Sequence, residues 1–358
     1  MTSYKIDSSL AAPSVHSAGQ NLSLTTILAP VNEDMCAVEA LLETNLIDDN
    51  PFVAELLGQI FKAGGKRVRP ALTLLCSRAT HKNAGKDSEK DSDNEFSRLH
   101  IILAVLTELI HAASLVHDDV IDSASLRRGK ETVNKRWNDR VAVLMGDLLF
   151  AQASICLARI MNPVVVGIYG QVLGDLCSGE IRQMRQQFST TVDWDSYLRK
   201  SINKTASLFA AGAHSGAILN ACDNETIQAL KDYGVNLGLC FQLVDDLLDI
   251  TGNSQDLGKA AGSDLQGGVI TAPALFVLEG GDAVAAKLKE LIKTRAVTSP
   301  EGNAEALELI KNNGGVEKTI ELCEKYAAMS KQRLAVIPRS VYRDSLELLV
   351  DFLLIRSN

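Results

Sequence analysis

No stretch of this chain combines the length and the freedom from charge expected of a membrane span. The longest uncharged stretch, Thr205 to Cys222, contains His214, Asn220 and several Gly and Ser, and reads as a packed helix of small residues. A broad basic patch is also missing. The 36 Lys and Arg stand against 44 Asp and Glu, a net charge of −8, which argues against a nucleic-acid partner. None of the seven cysteines forms a CxxC pair. They are odd in number, scattered and mostly set in apolar runs, so they read as reduced core residues. Strand-like alternation is scarce, and no internal repeat recurs at a fixed period. The first residues lack apolar periodicity, Arg and nearly all charge. Residues 1–28 are therefore expected to be a disordered tail or a targeting remnant, and the missing Arg counts against the second.

What is present is a 3.6-residue apolar period over almost every segment. It predicts helices at 30–47, 51–63, 70–81, 96–122, 140–160, 163–187, 194–221, 224–251, 271–279, 283–294, 301–312, 315–335 and 339–355. Pro51, Pro70 and Pro163 stand where helices begin, and Pro273 in a first turn. The polar, aperiodic run 82–95 is expected to be an exposed loop. Residues 123–139 and 252–270 are Gly- and charge-rich loops. With 46% hydrophobic residues, the pattern predicts one all-α domain over 29–358, a single helical bundle around a central cavity.

Two acidic clusters of one form sit on two of these helices: Asp118-Asp119-Val120-Ile121-Asp122 and Asp245-Asp246-Leu247-Leu248-Asp249. Positions i and i+4 share a helix face, so Asp118 lies over Asp122 and Asp245 over Asp249. Carboxylates so crowded in apolar surroundings repel one another and resist burial. A hard divalent cation with oxygen ligands removes the conflict, and Mg²⁺ fits best because it binds one or two carboxylates together with substrate phosphate oxygens. Each cluster is followed directly by a Gly-rich loop, a placement that suits a flap over a diphosphate and equally suits a plain surface loop. A solvated acidic helix end is the bland alternative, and it does not suit clusters embedded in Leu, Val and Ile.

Cations meet this expectation. Gly64-Gly65-Lys66-Arg67-Val68-Arg69-Pro70 joins two helices with two glycines and three cations, without the spacing of a Walker loop. Arg127 and Arg128 follow the first cluster, and Arg forks suit a diphosphate at the cleft rim. Lys204-Thr205 opens a long uncharged helical run, where a cation needs a partner. Gln242 shares a stripe with Asp245, and Lys259 lies beyond the second cluster. His111, Ser114, Asp118 and Asp122 form a polar stripe on a core helix, which marks His111 as a contact. His117 reads as packing.

The stretches GGKRVRP, HAASLVHDDVIDSASLRRG, MGDLLFAQA, GEIRQ, KTASLFAAG, FQLVDDLLDITG and LGKAAGSDL resemble the trans-polyprenyl diphosphate synthases over roughly residues 30 to 356. GSDL followed by ITAP is most similar to the long-chain, solanesyl-type enzymes of cyanobacteria and plastids. The resemblance implies an all-helical homodimer in the cytoplasm or plastid stroma. It would elongate an allylic diphosphate with isopentenyl diphosphate, touching a membrane at most peripherally for product release. It makes Asp118, Asp119, Asp122, Asp245, Asp246 and Asp249 the catalytic candidates. Asp118, Asp122 and Asp245 would hold roughly two or three Mg²⁺ ions that bridge the allylic diphosphate. Arg127, Lys204, Thr205, Gln242 and Lys259 would contact that diphosphate, and Lys66, Arg69, His111 and Arg128 the isopentenyl one. Many relatives carry a Lys shortly before the Thr-x-Pro that follows the second cluster, and Gly267-Gly268-Val269-Ile270-Thr271-Ala272-Pro273 has none.

The small Ala113 and Ser114, about one turn before Asp118, leave room for a growing tail and favour a long product. A geranylgeranyl-length synthase is the nearest alternative. A non-catalytic subunit of a heteromeric synthase should have lost motif residues, and this chain keeps them. A class I terpene cyclase normally mixes Asn, Ser or Thr with Glu in its second motif, unlike DDLLD.

Overall fold

The structure, a computed structural model, describes residues 23–45, 50–62, 65–81, 93–127, 129–252 and 261–355. The helices run α1 (Leu24–Leu28), α2 (Asn32–Asn45), α3 (Pro51–Lys62), α4 (Val68–Ala79) and α5 (Asp93–Ile121). A two-residue hairpin, β1 (Leu126–Arg127) with β2 (Lys130–Glu131), follows, then α6 (Val133–Arg136), α7 (Asp139–Ile160), α8 (Pro163–Arg185) and α9 (Trp194–Ser201). A π-helical segment, Ile202–Ala206, leads into α10 (Ser207–Leu219) and α11 (Asn224–Thr251). The chain ends in α12 (Ser263–Gln266), α13 (Ala272–Glu279), α14 (Ala283–Lys293), α15 (Pro300–Asn312), α16 (Gly315–Arg333) and α17 (Val341–Ile355).

Local chemistry sets the ends of these helices. Asn138, Asn162, Asp193 and Asp223 each accept a hydrogen bond from the first turn of α7, α8, α9 and α11. Pro163 occupies the first position of α8, where a missing N–H costs nothing. α5 and α11, each about 40 Å long, carry the two acidic clusters in their last turns. α5 packs on α4, α7 and α10, while α11 packs on α10 and α16. α10 fills the centre, with Leu208 through Ala217 all buried. Its small residues permit this: a Cβ on Gly234 of α11 would meet the Ala210 Cα at 2.6 Å, and one on Gly216 would meet the Ser77 Oγ of α4 at 2.2 Å. The uncharged stretch at 205–222 is thus a close-packed core helix, as its composition predicts.

Several expectations change in detail. The predicted helix 194–221 is interrupted by the π-helical segment at Lys204-Thr205, where π turns often mark functional sites. The predicted loop 123–139 contains the hairpin and α6. Within the predicted tail, residues 1–22 lie outside the described residues, but Leu24–Leu28 form α1 with Ile27 fully buried. Likewise 82–92 lie outside the described residues, and α5 begins at Asp93 rather than 96. Among the cysteines, Cys36 and Cys177 are exposed rather than core. Three helices, Arg98–Ile121, Asp139–Ile160 and Pro163–Arg185, are long and apolar enough to span a membrane by length and composition. The first is core. α7 and α8 instead turn an apolar side outward, with Leu144 67% and Ile181 60% exposed.

One of the three cations in the Gly-rich turn is committed to the fold. Arg67 takes a left-handed backbone (φ 47°) and pairs with Glu108 of α5 at 2.6 Å and Glu39 of α2 at 2.7 Å. Glu108 is only 5% exposed, so it needs this partner. Arg67→Ala is expected to cost about 3–5 kcal/mol by stranding that carboxylate. Arg67→Lys should recover little, because a single ammonium cannot span both acids. Urea unfolding checks this, and unchanged midpoints would count against the assignment.

Candidate active site

The first acidic cluster closes the C-terminal end of α5. Asp118 and Asp122 share one helical turn, as their spacing predicts: the Asp122 N–H donates to the Asp118 carbonyl at 2.8 Å. Asp118 is half-buried and lies 3.9 Å from the Lys204 ammonium. Lys204 in turn bonds Glu180 of α8 at 2.5 Å. Burial pushes the Asp118 carboxyl up to about 6; Lys204 draws it down, while Glu180 and Asp122 push it further up. Asp122 is also raised, first by burial, then by Glu180 and Asp264 acting against Lys204 and Arg127. The pull of Asp118 and Glu180 holds the Lys204 ammonium above the ordinary lysine range in spite of its burial.

The other member of this cluster does different work. Asp119 is 6% exposed and accepts from Arg127 Nε at 2.6 Å, which ties the hairpin to α5. Asn134 of α6 donates to the Asp119 carbonyl at 3.2 Å. Arg127, expected at the diphosphate, is here the counter-charge of Asp119.

The second cluster divides the same way. Asp245 is half-buried, whereas Asp246 and Asp249 are each 1% exposed. Asp246 accepts from the Tyr197 hydroxyl at 2.7 Å, the Gln242 amide at 2.8 Å and the Ala272 N–H at 3.1 Å. Asp249 accepts from Ser263 Oγ at 2.7 Å and the Asp264 N–H at 3.2 Å, fastening α12 to α11. Thr205 donates to Gln242 Oε1 at 2.7 Å, so the predicted pair Thr205 and Gln242 is brought together. Lys204 and Thr205 thus join the two helices from one π turn: the lysine reaches Asp118, the threonine reaches α11.

The oxygen-only set of Asp118, Asp122 and Asp245 fits a hard cation. Among the described residues, no three acidic, His or Cys side chains already converge on one point. That suits Mg²⁺, which takes few protein carboxylates and fills its sphere with phosphate oxygens and water.

The second predicted pocket lies at the start of α4. The Arg69 guanidinium sits 4.7 Å over the Phe209 ring and 5.6 Å from that of Phe241. Its Nη1 donates to His111 Nε2 at 3.1 Å, which assigns the ring proton to Nδ1. The exposed Lys66 has its ammonium 5.8 Å from the Phe352 ring of α17. Arg128 and Lys259 lie outside the described residues. Ser114 is half-buried and donates to the His111 carbonyl at 2.9 Å, while Ala113 is fully buried. On the same stripe, eleven positions before Asp118, Thr107 meets the buried Tyr169 hydroxyl of α8 at 2.6 Å. The His117 Nε2–H donates to the Val143 carbonyl of α7 at 3.1 Å and the ring lies over Gly146, so it packs as expected.

Glu180, Asp264, Tyr197 and Lys200 are site residues that the sequence reading left without a role. Only Glu180 carried a readable signal. Val165, Tyr169, Val172, Leu176 and Glu180 recur at three- and four-residue spacing, so an acid ends an apolar stripe.

Residues 50–310 match the family model described as polyprenyl synthetase. The chain belongs to the polyprenyl synthetase family. It is 41% identical over 333 residues to solanesyl-diphosphate synthase 2, chloroplastic, of Oryza sativa subsp. japonica, covering 93% of this chain and 80% of that one. A prenyl transferase of Synechocystis sp. is 42% identical, with 93% and 98% covered. Among solved structures, a polyprenyl synthase from Caulobacter crescentus, complexed with calcium and isoprenyl diphosphate, superposes with a TM-score of 0.84 at 32% identity, covering 94% and 99%. A decaprenyl diphosphate synthase from Rhodobacter capsulatus gives 0.84 at 31%, covering 94% and 100%. This polyprenyl synthetase is therefore a prenyltransferase with the all-helical fold of its relatives.

Proposed function

We propose that the enzyme condenses isopentenyl diphosphate repeatedly onto an allylic diphosphate primer and releases a long-chain, all-trans polyprenyl diphosphate of the solanesyl type, suited to a quinone side chain. The observation that carries this reading is the π turn, whose Lys204 and Thr205 tie the acidic end of α5 to that of α11. An allylic diphosphate between those helices would meet Lys204, Thr205, Gln242, Arg127 and Lys259. Asp118, Asp122 and Asp245 would hold the Mg²⁺. The metal, when bound, supplies positive charge to the leaving diphosphate. Lys204 and Arg127 orient that diphosphate and stabilise charge as its bond to the allylic carbon breaks. Lys66, Arg69, His111 and Arg128 would hold isopentenyl diphosphate so that its double bond attacks the same carbon. A proton then leaves to the departing diphosphate, and no covalent enzyme intermediate forms.

The chloroplastic and cyanobacterial relatives favour a plastid stroma or cytoplasm. The outward apolar side of α7 and α8, with Leu144, Ile155, Ile181 and Met184, suits a second copy of the chain. Sedimentation equilibrium should then give twice the chain mass, falling to one chain for Leu144→Glu combined with Ile181→Glu. A wild-type monomer would count against the dimer.

The direct test incubates the purified chain alone with Mg²⁺, labelled isopentenyl diphosphate and each allylic primer, and sizes the products by chromatography. Long products are expected. A ceiling at geranylgeranyl length would overturn the long-chain reading, and no turnover would overturn the catalytic one. The two pockets separate by mutation. Lys66→Ala should raise the KM for isopentenyl diphosphate about tenfold or more, and Lys204→Ala that for the primer, each as the loss of one charge-assisted contact. Equal losses for both substrates in both variants would contradict the assignment.

A further inference from the structure

Glu180 takes no part in the scheme above, yet it is the group to which Lys204 is bound. It ends the buried stripe of α8 and is 8% exposed. Its Oε2 accepts from the Lys204 ammonium at 2.5 Å, and its Oε1 accepts from the Gln183 amide at 3.3 Å. Lys204 therefore stands between two carboxylates on unequal terms. Glu180 holds it by a hydrogen bond, whereas the Asp118 oxygen at 3.9 Å lies beyond hydrogen-bond reach.

The backbone fixes this inequality. α8 approaches the π turn so closely that a Cβ on Gly179 would lie 3.2 Å from the Asn203 Cβ and 3.5 Å from the Lys204 nitrogen. The Asn203 amide also donates to Ser178 Oγ at 3.4 Å. On the other side, a Cβ on Gly238 of α11 would come within 2.5 Å of the Ala206 Cα. The π turn is thus wedged between two helices at glycines. With its backbone held, only the flexible stem of Lys204 decides which carboxylate the ammonium serves. A partly buried ammonium needs a negative partner. Without Glu180, the Asp118 oxygen is already 3.9 Å away, and a swing of about 1 Å would turn that approach into a hydrogen bond. An ammonium bonded to Asp118 would compete for the oxygens assigned above to Mg²⁺ and cancel the charge that draws the metal.

We propose that Glu180 is a positioning residue that holds Lys204 off Asp118, so that the aspartate stays open to Mg²⁺ and the lysine stays available to the diphosphate. This rests on the Mg²⁺-dependent reading of the site and gives Glu180 no contact with substrate or metal. Releasing the lysine should raise the Mg²⁺ needed for primer binding. Excess Mg²⁺ should reverse that loss by displacing the lysine, a repair that would not follow damage to the fold. Glu180 also attracts the metal directly through its own charge, and that part does not depend on Lys204.

The test follows binding of an unreactive allylic thiodiphosphate by calorimetry across a Mg²⁺ series. It compares wild type, Glu180→Gln, Lys204→Met and the double variant Lys204→Met with Glu180→Gln. Gln matches Glu in shape, but its neutral oxygen is too weak an acceptor to keep an ammonium from a carboxylate. Glu180→Gln should raise the Mg²⁺ concentration for half-maximal binding by about tenfold, with the analogue's Kd within about threefold of wild type once Mg²⁺ saturates. In the Lys204→Met background the same change should shift the Mg²⁺ requirement by about threefold or less, and the excess in the single variant measures the lysine's part. An unchanged Mg²⁺ requirement in Glu180→Gln would overturn the proposal. So would an equal shift in both backgrounds, or a loss that saturating Mg²⁺ does not recover. Should Glu180→Gln fail to fold, Glu180→Met, which continues the apolar stripe of α8, replaces it in both backgrounds and is read in the same way. Binding to wild type that ignores Mg²⁺ would instead strike the Mg²⁺-dependent reading itself.

Discussion

Asp118→Asn should lower turnover by about three orders of magnitude while making the metal-free protein more stable. The catalytic loss follows from the carboxylate's place at the end of α5, where it faces the Lys204 ammonium at 3.9 Å. The stability gain follows from the same burial. The carboxyl is raised from 3.8 to about 6, mainly by desolvation. Between those values the native carboxyl keeps a proton that the unfolded chain has released. Native stability therefore falls as pH rises through that window, by about 2–3 kcal/mol at most. Asn removes that contribution. Asp119, Asp122 and Asp246, also raised by burial, slope the same way, so the variant should show a shallower pH dependence rather than none. Lys204 keeps Glu180 as a partner, so the local fold should hold. Thermal melts from pH 4 to 7 and steady-state rates check both halves. Wild-type turnover, or a less stable metal-free variant, would contradict the account.

Ser114→Phe should shorten the product without stopping the first condensation. Ser114 lies one turn before Asp118, about 6 Å along the helix, on the stripe that continues to His111 and Thr107. An apolar tail anchored at Asp118 must descend past it. A ring there would fill that path only after one or two additions, leaving the metal end untouched. Ser114 is half-buried and, among the described residues, bonds the His111 carbonyl alone, so it tolerates bulk better than the fully buried Ala113. Overpacking should cost about 1–3 kcal/mol at Ser114 and more at Ala113→Phe. Reversed-phase separation of the products decides the matter. Full-length product from a folded Phe variant would show that the tail takes another route.

The helices and the paired clusters were legible because both rest on short-range spacing. Apolar residues at 3.6-residue intervals define the bundle, and i, i+4 carboxylates define the two acidic helix ends. What escaped depends on partners far along the chain. Asp118 and Asp119 are adjacent and chemically identical, but only one meets Lys204 while the other meets Arg127 from the hairpin. Asp246 and Asp249 look like ligands by motif, yet Tyr197, Ser263 and backbone N–H groups occupy their oxygens. In the Gly-rich turn, three cations read alike until the left-handed backbone of Arg67 sends it to Glu108 and Glu39. The π turn at Lys204 leaves no periodic trace, because five residues are too few to shift a 3.6-residue pattern.

In the proposed reaction, Mg²⁺ and the two acidic helix ends together hold an allylic diphosphate. Calorimetric titration of an unreactive allylic thiodiphosphate, with and without Mg²⁺, tests it most directly. Tight binding is expected only with Mg²⁺ and only while both Asp118 and Asp245 are present; alanine at either position should abolish the metal dependence. Equal affinity with and without Mg²⁺, or undiminished Mg²⁺-dependent binding in both alanine variants, would contradict it.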